Sequence, residues 1–235
     1  MNTRFILPLL VAALVASLIP AKAQSPQPDK VTELLSEAQS LQGRKRYLDA
    51  FSKLDEAEKL NPKRPEIYNI RGAIFLAAAV RDVDKAREQF SKAHEMQPDA
   101  MPPLFNLAET EFVSGKWVES EKRFGDILTK FPKLPLGVRH LVTFKVLVSR
   151  VKQQRFDEAE KMIKDTFSFM DDTPAYYFSK AVVALEKKDE QTGNDWLAKA
   201  QIIFKKADTS SYIDSMMESH YIDSLGVSLP QAEVK

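Results

Sequence analysis

From residue 31 to about residue 204, apolar positions recur three and four apart in blocks roughly a dozen residues long, each set off by a turn or a proline. That spacing lines apolar side chains along one face of an α-helix, and the strict alternation of a half-buried strand is nowhere sustained. The clearest pair of blocks is 101–134: Leu104, Leu107 and Ala108 mark one helix, Gly115 and Trp117 the turn, Ser120, Phe124 and Ile127 a second helix, and Pro132 its stop. Small residues at Ala108 and Ser120 let two antiparallel helices approach closely, while Phe124 fills the wedge toward the next pair. An all-α chain is predicted.

The pair then repeats, with Pro98 and Pro132 lying one period of 34 residues apart. Residues 31–64 place Leu34, Ala38, Leu41, Tyr47, Ala50, Leu54, Ala57 and Pro62 in the same register. Residues 65–100 do so with Tyr68, Gly72, Phe75, Ala86, Phe90, Ala93 and Pro98, plus about two extra residues in the inter-helix turn at 81–84. In 136–172 a long first helix over 136–153, expected to bend the array, precedes Phe156, Ala159 and Ile163. A fifth unit over 174–207 follows the helix-start signal Asp171-Asp172-Thr173-Pro174 and carries Tyr177, Ala181, Ala184, Gly193, Leu197 and Ala200. Beyond it, Tyr212, Ile213, Met216, Met217, His220, Tyr221 and Leu225 predict a helix over 210–225. A stacked array needs such a terminal element because its last unit otherwise leaves an apolar side in water, so this helix is expected to be a cap, followed by a loose tail over 227–235.

The first residues read as an address. Arg4 precedes a nearly unbroken apolar run over 5–19, and Ala21-Lys22-Ala23 offers small residues where a signal peptidase cuts, so cleavage is expected after Ala23. An uncleaved anchor is the competing reading, but the run falls short of the roughly 20 residues that span a bilayer. No stable membrane span is then expected in the mature chain. Export follows, with the bacterial periplasm expected and secretion as the alternative; residues 24–30, rich in Pro and Gln, read as a flexible lead.

Composition narrows the chemistry. With 44% apolar and 29% charged residues the chain is an ordinary folded protein, and 34 basic against 33 acidic residues leave no field for steering onto nucleic acid. The absence of cysteine excludes disulfides, thiol catalysis and Cys-based zinc sites, and only seven glycines argue against a phosphate-cradling loop. His94, His140 and His220 fall in different units without convergent donors, so no metal site is expected. Asp171-Asp172 reads as helix capping rather than paired carboxylates, Arg44-Lys45-Arg46 as a solvated turn, and Trp117 and Trp196 as packing residues. No nucleophile, cofactor or catalytic constellation stands out, so the chain is not expected to be an enzyme.

The spacing, small residues and closing prolines of 31–204 together resemble the tetratricopeptide repeat (TPR) family. Glu111 stands where the family carries an aromatic and Gly193 where it carries alanine. The resemblance implies a right-handed α-solenoid of about five helix pairs with a C-terminal capping helix, whose concave side binds a protein or peptide segment without any cofactor. The family's concave positions fall on Leu35 and Gln39, on Asn69 and Ala73, on Phe105, Glu109 and Phe112, on Phe144 and Val148, and on Phe178, Val182 and Leu185. The Lys and Asn set with which some members clamp a terminal carboxylate is missing, since Gln39, Ala73, Glu109, Val148 and Val182 occupy one of its key positions. What replaces it is an apolar stripe, and two readings stay open: the 210–225 helix folds back over it, or it docks a partner's amphipathic helix or hydrophobic peptide. The expected function is an exported scaffold supporting assembly or regulation of an envelope or secretion complex. The alternative is a self-associating structural repeat protein whose C-terminal helix caps or swaps into the groove.

Overall fold

A computed structural model describes residues 29–223. The expected leader, cleavage site and tail lie outside the described residues, as does most of the lead. Eleven helices make up the described chain: α1 Lys30–Gly43, α2 Tyr47–Leu60, α3 Pro65–Leu76, α4 Val83–Met96, α5 Met101–Val113, α6 Trp117–Lys130, α7 Leu136–Lys152, α8 Phe156–Thr166, α9 Ala175–Glu186, α10 Glu190–Ile203 and α11 Lys206–Glu218. The fold is an all-α TPR-like solenoid. Successive helices pack as hairpins, α1 on α2, α3 on α4, α5 on α6 and α9 on α10, and each hairpin stacks on the next.

Local chemistry sets these boundaries. Asp29, Asp82 and Asp189 cap α1, α4 and α10 by accepting from the amides of Thr32, Lys85 and Thr192. Pro65 opens α3, where its missing N–H leaves nothing unsatisfied. The expected cap from Asp171 and Asp172 is corrected: α9 starts after Pro174 with no side-chain cap, and Asp171 instead accepts from the Ser168 amide at 2.7 Å, closing the α8–α9 loop on itself. In the tight inter-helix turns, Lys45, Gly115, Gln154 and Lys188 all adopt left-handed backbone, with φ between 60° and 69°. Only Gly115 does so without a Cβ penalty.

Two helices depart from the simple pattern. α7 is buried nearly all round, from His140 through Val151, because α6, α8, α9 and α11 all pack on it. A helix enclosed in this way buries polar as well as apolar positions, and His140, Thr143, Lys145 and Ser149 are all covered, each with a hydrogen-bond or ion-pair partner. The helix expected over 210–225 runs Lys206–Glu218 instead. It starts early, just after Lys205 in extended backbone, and it stops where His220 turns left-handed at φ 59°. α11 does not stack on α10 as a sixth layer. It turns inward and rests on α7 and α9 as well as α10.

The core is divided. Leu34, Ala38, Leu54, Ile67 and Ile74 belong to an N-terminal cluster, Ala86, Phe90 and Leu107 to a small middle one, and α5 to α11 share a large C-terminal one. The middle cluster is tight: Gly72 lies so close to Phe90 that a Cβ there would stand 2.6 Å from the ring.

Candidate functional site

The odd-numbered helices α1 to α9 carry the positions that the TPR resemblance places on the concave face, and the structure treats them in three ways. In the N-terminal units Leu35 is buried in the N-terminal cluster and Gln39 is exposed, while Asn69 accepts from the Asn106 side-chain amide at 2.8 Å. In the middle, Ala73, Phe105 and Glu109 line an open cleft of about 600 Å³. Phe105 is partly buried and meets Phe124 edge-on at 5.5 Å.

The remaining expected groove residues offer no surface in this structure, as the covered reading of the stripe requires. Phe112, Phe144, Val148, Phe178 and Val182 are 0% exposed and Leu185 is 1% exposed. Phe112 is held edge-on by Trp117 and Phe124, and above it Lys145 places its ammonium 4.3 Å from the ring centroid. Lys145 also pairs with Glu109 at 2.7 Å, so this buried ion pair roofs the aromatic pocket. Phe144 and Phe178 are covered by α11: Tyr212 lies 5.1 Å from the first ring and stacks on the second at 5.3 Å. Of the two open readings of the stripe, the fold-back of the C-terminal helix is the one observed, over the C-terminal half only.

Two contacts hold the C-terminal end of α11 in place. Glu218 accepts from Arg81 at 2.6 Å, joining the end of α11 to the long turn between α3 and α4. Just past the helix, Tyr221 is fully buried and donates to Glu186 at 2.7 Å, with Lys152 3.8 Å from its ring and 3.1 Å from Glu186. Burial pushes the Tyr221 phenol well up, helped by the Glu186 charge, and pulls the Lys152 ammonium down against the same carboxylate. Along the helix itself the seat is imperfect. The Tyr212 hydroxyl is buried without a hydrogen-bond partner, Thr173 lying near enough to influence it but outside bonding geometry, and one Arg81 guanidinium nitrogen is likewise unpartnered.

The open cleft lies between α3, α5 and α7 on one side and α11 on the other. Ala73, Leu76, Phe105, Leu141 and Met217 give it an apolar lining, and Lys45, Glu109, Lys145, Asp214 and Glu218 bring charge to it. Asp214 keeps more than a third of its surface exposed, yet its carboxyl is raised by lost hydration in the cleft, with Lys145 opposing and Glu218 adding to the shift. Lys145 pairs with Glu109 and Arg81 with Glu218, so much of the charge here is matched within the chain and the lining favours an apolar segment. Sequence reasoning missed Arg81, Lys145 and Asp214. The one trace was the two-residue excess in the turn that carries Arg81.

Away from the cleft, His140 is buried with Nδ1 2.7 Å from the Thr173 hydroxyl and Asp171 4.0 Å away. Desolvation lowers its pKa, Asp171 raising it and Arg139 lowering it further. Among the described residues no group of His, Asp and Glu converges closely enough to hold a metal ion, and no helix is long and apolar enough to cross a membrane.

Comparison with known proteins agrees on the fold. No protein-family model matches the chain. A TPR protein from Parabacteroides merdae superimposes with TM-score 0.59 over 80% of this chain and 71% of its own, at 16% identity. A thermophilic TPR protein of Thermus thermophilus does so at 0.57 over 80% of this chain and 99% of its own, at 18% identity. PilW, a type IV pilus biogenesis factor, gives 0.57 over 82% of this chain and 87% of its own, also at 18% identity. By sequence, 133 residues are 24% identical to the CTR9 homolog of Arabidopsis thaliana, a match spanning 55% of this chain and 12% of that protein. These likenesses show a TPR-like fold.

Proposed function

We propose that the chain is an exported, non-catalytic scaffold that binds a protein segment on its concave face and supports assembly or regulation of an envelope or secretion complex. The observation that carries this reading is the open cleft, where Phe105 and an apolar wall from α3 and α7 face solvent beside charged side chains. Repeat arrays build such concave surfaces by the small rotation between units, and extended segments fit them. The apolar run over 5–19 and the likeness to PilW support the envelope setting.

The test is site-specific photo-crosslinking in the native envelope. A photoreactive residue at Phe105 or Asn106 captures a discrete protein, and one at Lys122, exposed on α6, does not. Equal labelling at all three sites defeats the proposal.

A second reading is favoured by one observation. Only Phe204 and Lys205 join α10 to α11, and α11 leans on α7 and α9. In that reading the helix exchanges between copies, and light scattering shows a mass that rises with concentration.

A further inference from the structure

We infer that α11 is a resident ligand of the concave face, and that the segment the scaffold takes from its partner is an amphipathic helix of the same chemistry: an aromatic residue, an unbranched apolar residue four positions on, and a carboxylate two positions beyond. This rests on the scaffold reading and names the kind of segment it takes.

Tyr212, Met216 and Glu218 define that pattern. Tyr212 fills the gap between Phe144 and Phe178, Met216 is fully buried one turn later, and Glu218 reaches Arg81. Residues four apart share one helix face, and Glu218, two positions on, projects sideways toward the α3–α4 turn. The α7–α9 surface thus accepts a helix through two apolar pockets and one guanidinium, the spaced-anchor mode by which grooves recognise amphipathic helices.

Two properties mark α11 as displaceable rather than as core. Its sequence, KADTSSYIDSMME, is poor in strong helix formers, and the hydroxyls of Thr209, Ser210 and Ser215 bond back to carbonyls of their own helix at 2.7 to 3.2 Å. Such back-bonding competes with helix formation, so helicity here depends on docking. The docked state also carries unmet polar groups in the Tyr212 hydroxyl and one Arg81 nitrogen. An incoming helix that lacks the buried phenol, with Phe in place of Tyr, occupies the same pockets without the first of these costs. Its second anchor, Glu to Arg81, is kept.

The experiment uses the mature chain and a fluorescein-labelled peptide of residues 206–223 as probe. In the chain, Glu218→Ala removes one of the two contacts that hold the end of α11, the other being Tyr221 on Glu186, and leaves its seat intact. Peptide binding should then strengthen about fivefold over wild type, the fraction of chains with an open seat setting the apparent affinity. A peptide carrying Tyr212→Ala should not bind, one carrying Tyr212→Phe should bind at least as well as the parent, and adding Arg81→Ala to the chain should abolish the gain. Circular dichroism confirms that each chain variant keeps its helical melt. Equal binding to wild type and Glu218→Ala, or equal binding of the parent and Tyr212→Ala peptides, overturns the inference. So does a Glu218→Ala chain that dimerises in light scattering, since the seat then serves a second copy. Failure here leaves capture at Phe105 untouched, so the two proposals fall separately.

Discussion

The ammonium of Lys145 lies 2.7 Å from the Glu109 carboxylate, on side chains only 6% and 15% exposed, and the pair closes over the ring of Phe112. A buried charge that loses its partner is costly, whereas replacing both partners by apolar groups is often neutral. Lys145→Ala alone should therefore lower stability by about 3 kcal/mol. Lys145→Met combined with Glu109→Leu should recover most of that loss, as read from urea midpoints. A double variant no more stable than the single one defeats this account.

Gly72 faces Phe90 across the α3–α4 interface with no room for a methyl group, the ring atoms standing 2.6 to 3.0 Å from where a Cβ would sit. Phe90 is fully buried. Gly72→Ala should cost about 1–3 kcal/mol despite alanine's better helix propensity, and Phe90→Leu should relieve part of it.

Lys45 occupies a left-handed turn with φ 60° where glycine is free of strain. Its side chain makes no ion pair among the described residues, so Lys45→Gly should raise stability by about 0.5–1 kcal/mol, measured by thermal melting. Gly115→Ala, in the corresponding turn of the third hairpin at φ 69°, should act in the opposite direction.

His140 gives the fold a definite pH response. Its pKa in the folded protein lies below the ordinary 6.5 because burial disfavours the charge. Above that value neither state is protonated and the contribution to stability is flat. As pH falls through 6.5 the unfolded chain takes up a proton that the folded one resists, and stability declines. Urea unfolding near pH 7.5 and near pH 5 should show a smaller loss for His140→Gln than for wild type. An identical loss would mean that other groups govern the acid limb.

Hairpin spacing was legible because it rests on apolar periodicity and on prolines that stop helices, both local properties. The same logic placed Ala108, Ser120 and Phe124 in the core, and all three are buried. Where the reading failed, a side chain from a distant helix decided the outcome. Phe112 sits at a position that would face a groove, and it is buried because Lys145 on α7 closes over it. Glu111, the departure from the family's aromatic, is only 6% exposed and is ringed by Arg87, Lys116 and Arg123 at 3.4 to 3.8 Å. Three cations from separate segments make a buried carboxylate tolerable, and no spacing along one chain reveals that convergence. Gly193 has a similar explanation, since Leu185 lies 2.5 Å from where its Cβ would be. The seat of α11 was legible as an apolar stripe in need of cover, but the surface it covers depends on a reversal at Phe204 and Lys205.

The small middle cluster of Ala86, Phe90 and Leu107 lies between the two larger ones. The open cleft draws its lining from both sides of it, Ala73 and Leu76 on α3 and Phe105 and Leu141 on α5 and α7. A segment lodged there touches both halves of the array at once, so its binding should slow amide exchange on α3 as well as on α7.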